Sequence, residues 1–167
     1  MGDMACVHLI VGNVGSGKTT YAIALADRLG AIRFSLDEWM VALFHKDLTA
    51  TVDLQWRLDR IDRIEEQIWS LVAQLGARGV DVVLDLGLAA KKHRDRQRAR
   101  AAALGLSAKL HFLDVDLPTR VNRVRKRNAE KGESFAFEVT DEMIRFMERW
   151  FERPAAEELD GAEIVTP

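Results

Sequence analysis

A glycine-rich segment near the start of the chain has the residue types and spacing of a phosphate-binding loop. It reads GNVGSGKT and satisfies the pattern GxxxxGK[ST]. Its glycines allow backbone turns that direct N–H groups at phosphate oxygens, its lysine can span two phosphates, and its final hydroxyl can bind Mg²⁺. We therefore predict a site for ATP and Mg²⁺ formed by Gly12, Asn13, Val14, Gly15, Ser16, Gly17, Lys18 and Thr19, with Thr20 near the α-phosphate and Thr19 as a metal ligand.

The setting of this segment supports the prediction. An apolar run at 7–11 precedes it and indicates a buried strand, and a helical pattern over 19–29 follows it and ends at Gly30. A glycine-rich turn with an incidental lysine would lack this strand–loop–helix context. The loop alone is compatible with a kinase, an ATPase or a GTPase. The sequence contains no guanine-reading Asn/Thr-Lys-x-Asp motif and is short for a motor ATPase, so a compact kinase fits best.

Two aspartates follow other predicted strands. Asp37 comes after the strand at 31–34, and Asp85 ends the strand at 80–84. Because the carboxyl ends of parallel strands share one edge of a sheet, both side chains can meet the phosphate loop there. A carboxylate such as Asp37 can orient a hydroxyl and accept its proton, and Asp85 can hold Mg²⁺ directly or through water. The structural alternative for Asp37 is a helix cap, and Glu38 is a weaker candidate for the same chemistry.

A basic helix follows later in the chain. Residues 91–131 contain 13 of the 24 Lys and Arg residues but only 4 of the 26 Asp and Glu residues, which predicts a local anion site on an otherwise acidic body. Arg123 and Arg127 are four residues apart and share a helix face. Two guanidinium groups there could neutralise charge on a transferred phosphoryl group or cover adenine, whereas the alternative is a solvated basic surface.

Strand and helix patterns alternate along the whole chain. Strands are expected at 7–11, 31–34, 80–84, 110–115 and 164–165, and helices at 19–29, 53–75, 90–104, 117–129 and 140–151. This order predicts an α/β fold with a mainly parallel sheet of about five strands and helices on both faces. We expect a single domain over 1–167.

Composition excludes several classes of protein. With 48% hydrophobic and 30% charged residues, the chain is neither wholly disordered nor of low complexity. A single cysteine, Cys6, fits a reducing cytoplasm, and no apolar run approaches the roughly 20 residues of a membrane span. A net charge of −2 argues against general binding of polyanions.

These motifs, in this order, resemble the small P-loop kinases that include chloramphenicol phosphotransferase, the zeta toxins and the polynucleotide 5′-kinase domain. The chain is most similar to bacterial predicted kinases and AAA-family ATP-binding proteins, and the resemblance covers about 6–159. It extends to FSLDEW at 34–39, to VVLDLGL at 82–88 and to a closing FERPAAEEL at 151–159. Related kinases often have a hydroxyl residue or a second acid after the aspartate of the second motif, whereas this chain has Leu86 and Gly87.

The resemblance implies a P-loop nucleotide kinase-like fold, a three-layer α/β/α sandwich with a small helical lid at about 117–139, and a role for each matching residue. Asp37 would be the base that accepts the proton of the attacking hydroxyl, with Lys18 and the lid arginines Arg123 and Arg127 acting on the phosphoryl group. The acceptor would be held beside Asp37 by Trp39, Gly87 and Arg94. A small molecule such as an antibiotic, nucleoside or sugar is the expected acceptor. The alternatives are a 5′-hydroxyl nucleic-acid kinase and an ATP-binding switch without catalysis. Neither the acceptor nor the oligomeric state can be predicted from the sequence.

Overall fold

A computed structural model describes residues 4–47, 53–131 and 138–166. Its five strands are β1 (Cys6–Val11), β2 (Ile32–Ser35), β3 (Val82–Asp85), β4 (Ser107–Leu113) and β5 (Glu163–Val165). The helices are α1 (Lys18–Leu29), α2 (Leu36–Phe44), α3 (Leu54–Gly76), α4 (Lys91–Ala103), α5 (Leu117–Glu130), α6 (Asp141–Trp150) and α7 (Ala156–Leu159), with a short 3₁₀ turn at His45–Asp47.

The strands form one parallel sheet in the order β2-β3-β1-β4-β5. One face of the sheet packs against apolar residues of α3 and α4, and the other packs against α1. This arrangement is the predicted three-layer α/β/α sandwich of P-loop kinases. Since β1 lies at the centre of the sheet, the loop that follows it opens at the middle of the carboxyl edge, between the ends of β3 and β4.

Three details of the fold differ from the sequence-based expectation. β4 begins at Ser107 rather than at 110, because its backbone pairs with β1 as far as Cys6. β3 extends to Asp85, whose partner across the ladder is Ser35. The one-turn helix α7 was not predicted.

Part of the predicted lid, 132–137, lies outside the described residues. None of the helices in the described ranges is long and apolar enough to cross a membrane.

A chain of hydrogen bonds crosses the α1 face of the sheet. Glu163 can only accept, so the Tyr21 hydroxyl donates to it at 3.2 Å and accepts from His111 Nδ1 at 2.8 Å. His111 Nε2 must then accept from His8 Nδ1, also at 2.8 Å. Because burial removes His111 from water, its pKa falls to about 4. Burial also lowers the pKa of His8, so both histidines are neutral at pH 7.

We expect this network to make the fold acid-sensitive. Between pH 6.5 and 4 the unfolded chain binds a proton at His111 that the folded chain does not, so stability falls as the pH falls. The loss attributable to His111 is about 3 kcal/mol at pH 4. Urea unfolding at pH 7, 5.5 and 4.5 should show a flatter dependence for His111→Gln than for the wild type. Parallel curves for the two proteins would contradict this origin of the acid sensitivity.

Candidate functional site

The glycine-rich loop connects β1 to α1 and requires its glycines for steric reasons. Gly15 and Gly17 have φ values of 79° and 92°, which side chains disfavour. A Cβ at Gly15 would lie 2.6 Å from the carbonyl oxygen of Arg120. Gly17 is the N-cap of α1 and provides no side-chain cap, so the first N–H groups of the helix remain available to an anion.

The loop forms one wall of a cavity of about 970 Å³. Its lining includes loop residues from Val14 to Thr20, the α5 residues Arg123 and Arg127, and Ser35, Asp37, Glu38, Asp85 and Gly87 at the ends of β2 and β3 and the start of α2. The cavity therefore brings together most of the residues that the sequence predicted to act together. Ser16 is only 2% exposed, and its hydroxyl has no hydrogen-bond partner among the described residues, which is the state of a donor that awaits a ligand.

Gly12 and Asn13 lie in the loop but do not line the cavity. A Cβ at Gly12 would lie 2.4 Å from Ser16 Oγ, so this glycine allows the loop to fold back on itself. The Asn13 side chain accepts from the backbone N–H of Val14 at 2.7 Å and donates to Glu148. These two predicted nucleotide-binding residues shape the loop instead of facing its interior.

Lys18 and two aspartates form the electrostatic centre of the site. Lys18 Nζ donates to the carbonyl oxygen of Asn13 at 3.3 Å. Burial lowers the pKa of Lys18, while the nearby Asp85 and Asp37 act to raise it. The negative charges of a bound polyphosphate would also raise the pKa of Lys18, because they would stabilise its ammonium form. Lys18 therefore suits this site to an anionic ligand.

Thr19 and Asp85 provide two oxygens suited to a hard cation. Thr19 Oγ1 donates to Asp85 Oδ2 at 3.0 Å. Burial raises the pKa of Asp85, and Lys18 and the Thr19 hydrogen bond oppose that shift. The described residues contain no group of three His, Cys, Asp or Glu side chains that could hold a metal by themselves. A bound Mg²⁺ fits here only as an ion that keeps waters and shares phosphate oxygens, which is its usual mode of binding.

Two arginines of α5 line the cavity. Arg123 Nη1 donates to the carbonyl oxygen of Ser16 at 3.0 Å, which connects α5 to the loop. Arg127 lies one turn farther along the helix, and its Nε is buried without a hydrogen-bond partner in the described part of the chain. Both positions agree with the predicted pairing on one helix face.

Asp37 lies in the first turn of α2 and lines the cavity with an exposed side chain. Ser35 is the N-cap of this helix, and its hydroxyl accepts from the N–H of Glu38 at 3.4 Å. The alternative that Asp37 serves as the cap is therefore wrong. Its carboxylate is left free to contact a ligand near Lys18.

The predicted substrate role of Arg94 is not supported by its position. Arg94 is fully buried and forms two hydrogen bonds to Glu158, at 2.7 and 3.0 Å, and two more to carbonyl oxygens. Trp39 is half-buried in an edge-to-face contact with Phe34, and neither the Trp39 nor the Arg94 side chain lines the cavity. Gly87 does line it, with a φ of 66° that lets the chain turn after β3.

Sequence reasoning missed a link between α6 and the phosphate loop. Glu148 of α6 accepts from Asn13 and from Arg120, and Arg120 also donates to the Val14 carbonyl oxygen at 3.1 Å. Arg120 is 5% exposed, so it needs this carboxylate as a partner. Only the charge pattern of α6 hinted at such a role, and Glu148 is one acid among several on that helix.

We expect Glu148→Gln to weaken ATP binding about fivefold and to lower stability by about 1–2 kcal/mol, because charge-assisted hydrogen bonds to the loop and to Arg120 are lost. Calorimetric titration with ATP and a urea unfolding curve measure the two effects. Glu142→Gln on the same helix is the matched control, since Glu142 is exposed. Equal behaviour of the two variants would show that α6 does not support the loop.

Comparison with known proteins agrees with this geometry. A family model described as AAA domain matches residues 7–154. No curated protein matches the chain. Among solved structures, the APS kinase CysC of Mycobacterium tuberculosis, in complex with AMPPNP and APS, is 19% identical, with 98% of this chain and 89% of that chain covered at a TM-score of 0.66.

Two further structures have the same fold. Kti12 of Chaetomium thermophilum, in complex with ADP-AlF3, is 15% identical over 96% of this chain and 88% of that chain, with a TM-score of 0.72. A gluconokinase from Sinorhizobium meliloti is 15% identical over 99% of this chain and 84% of that chain, with a TM-score of 0.61. At these identities the likeness is one of fold.

Proposed function

This chain belongs to the AAA domain family, and from that premise we propose that it is a kinase that transfers the γ-phosphoryl group of ATP to a hydroxyl of a small molecule, with Mg²⁺. The observation that carries the proposal is the shared cavity. Lys18, the Thr19–Asp85 pair and Asp37 line it together, so a phosphate site and a proton acceptor face the same space. The complexes of similar proteins with AMPPNP and with ADP-AlF3 support ATP as the donor.

The phosphate side of the cavity would bind the nucleotide. The N–H groups of the loop and of the first turn of α1 would donate to phosphate oxygens, and Lys18 would contact the outer phosphates. Mg²⁺ bound at Thr19 and Asp85 would supply a positive charge that neutralises phosphate oxygens. Arg123 and Arg127 would stabilise the negative charge on the group in transfer from the side of α5.

The side of the cavity opposite the phosphate loop, formed by the ends of β2 and β3 and by α2, would hold the acceptor. The hydroxyl oxygen forms a bond to the γ-phosphorus while the bond from that phosphorus to the bridging oxygen breaks, and ADP leaves with the bonding electrons. Asp37 would accept the hydroxyl proton, because its exposed carboxylate lines the cavity close to Lys18. Its position in a capped helix holds the carboxylate in place during this step.

A direct test is the formation of ADP in the presence of Mg²⁺ and candidate acceptors. Antibiotics, nucleosides, sugars and 5′-hydroxyl oligonucleotides form the panel, and the product is identified by mass spectrometry. The proposal expects a small molecule to raise the rate well above the rate of hydrolysis by water. A response to oligonucleotides alone would indicate a nucleic-acid kinase, and tight ATP binding without any stimulation would indicate a switch.

A further inference from the structure

The charges that line the cavity are divided between its two sides. Its three basic lining residues all belong to the phosphate side, because Lys18 is in the loop and Arg123 and Arg127 project from α5. The side formed by the ends of β2 and β3 and by α2, which we call the acceptor side, has no basic lining residue. It is lined by Ser35, Asp37, Glu38, Val41, Ala42, Asp85 and Gly87.

No further basic residue of the sequence lies outside the described ranges. The residues at 1–3, 48–52, 132–137 and 167 include no Lys, Arg or His. Every basic side chain of the protein therefore lies in the described part of the chain. Segments 48–52 and 132–137 cannot add a positive side chain to the acceptor side, whatever their position.

Two arginines beside the acceptor side are already paired, and His45, Lys46, Lys91 and Lys92, which are also close to it in sequence, do not line the cavity. Arg33 Nη2 lies 2.6 Å from Glu38 Oε1, and Arg33 Nη1 lies 3.9 Å from Asp85 Oδ2, with the arginine side chain only 16% exposed. Arg94 is fully buried against Glu158. Asp85 is shared with Lys18 and with the proposed Mg²⁺, so Asp37 and Glu38 are the two carboxylates of the acceptor side that a bound acceptor would meet.

A phosphate or carboxylate on the acceptor would lie beside Asp37 and Glu38, and the one guanidinium on this side, that of Arg33, already pairs with Glu38. At about 4 Å, two like charges repel each other several times more strongly at a protein surface than in water. A positive group on the acceptor would be attracted by the same amount. The acceptor side of the cavity therefore disfavours an anionic acceptor, whereas the phosphate side attracts an anion.

Building on the proposed function, we propose that the acceptor is an amino alcohol whose protonated amine pairs with Glu38 while its hydroxyl contacts Asp37. Glu38 is 57% exposed and lines the cavity, so it can bind an ammonium group in addition to Arg33. Val41 and Ala42 offer apolar contacts to the carbon skeleton. The ammonium keeps its proton during transfer, so its nitrogen has no lone pair for attack and the hydroxyl oxygen is the nucleophile.

Matched acceptors that differ in charge test this proposal. One set is glucosamine, glucose and glucose 6-phosphate, and a second is serinol, glycerol and glycerol 3-phosphate. Binding of AMPPNP with Mg²⁺ is measured first, because its absence would refute the proposed function rather than the acceptor class. We expect the amine to have the highest kcat/KM of its set, with the phosphorylated member at least about tenfold worse. Preference for the neutral or phosphorylated members would overturn the proposal, as would no response from either set when AMPPNP binds.

Glu38→Gln tests the residue itself. It should raise the KM for the amine about fivefold, with kcat retained and the neutral acceptor unchanged, because one partly exposed ion pair is lost. It also leaves Arg33 without its closest carboxylate, so discrimination against the phosphorylated acceptor should weaken. Glu157→Gln, at an exposed position of α7 outside the cavity lining, is the control. An equal loss for amine and neutral acceptors would show a structural role for Glu38 and overturn the pairing.

Discussion

Replacement of Lys18 by alanine is expected to weaken ATP binding by roughly 10- to 100-fold, the range for losing a hydrogen bond to a charged group in a partly enclosed site. The ammonium group lies in the cavity wall between the phosphate loop and two aspartates, and no other lining lysine could replace it. The fold should survive, since the Lys18 ammonium makes a single hydrogen bond among the described residues, to the carbonyl oxygen of Asn13 at 3.3 Å. Isothermal titration with ATP, with and without Mg²⁺, measures the effect.

Two further variants make this test specific. Thr19→Ala should mainly abolish the dependence of ATP binding on Mg²⁺, because it removes one of the two proposed metal ligands. Lys46→Ala, at an exposed position outside the cavity lining, should bind ATP as the wild type does. Unchanged affinity in a folded Lys18→Ala protein would refute the assignment of the loop as a nucleotide site.

Asp37→Asn is expected to reduce phosphorylation of the acceptor by roughly 10²–10⁴-fold, the usual contribution of a general base. Asparagine keeps the size of the side chain but cannot accept the hydroxyl proton. ATP affinity should remain close to that of the wild type, since Asp37 is proposed to contact the acceptor and makes no hydrogen bond to the phosphate loop in the described part of the chain. The rate of ADP formation with a confirmed acceptor and the Kd for AMPPNP together separate the two effects.

The same variant distinguishes catalysis from a structural role. Because Ser35 caps α2, the stability of Asp37→Asn should match that of the wild type, and Ser35→Ala should be the variant that destabilises the helix, by about 1 kcal/mol. Full turnover by Asp37→Asn would exclude it as the base. Glu38 and Asp85, the other carboxylates on the acceptor side, would then be substituted in turn.

The phosphate loop and the order of the elements can be predicted from sequence because both depend on local interactions. The turns of the loop need glycine at Gly15 and Gly17, and a buried strand and an amphipathic helix are visible as apolar patterns on either side. The strand order β2-β3-β1-β4-β5 is compatible with the preference of parallel sheets for crossover helices. Because parallel strands all end at one edge, the sequence alone is enough to assign Asp37 and Asp85 to the same edge of the sheet.

The partners of the charged side chains were decided only by the tertiary structure. Arg94 and Arg123 both occur on basic helices, yet Arg94 is buried against Glu158 whereas Arg123 reaches the phosphate loop. The direction in which a helix face points depends on how the helix packs on the sheet, and a contact such as that between Asn13 and Glu148 joins residues 135 positions apart. Local patterns determine which elements form, but long-range packing determines which charges are neutralised and which remain to meet a ligand.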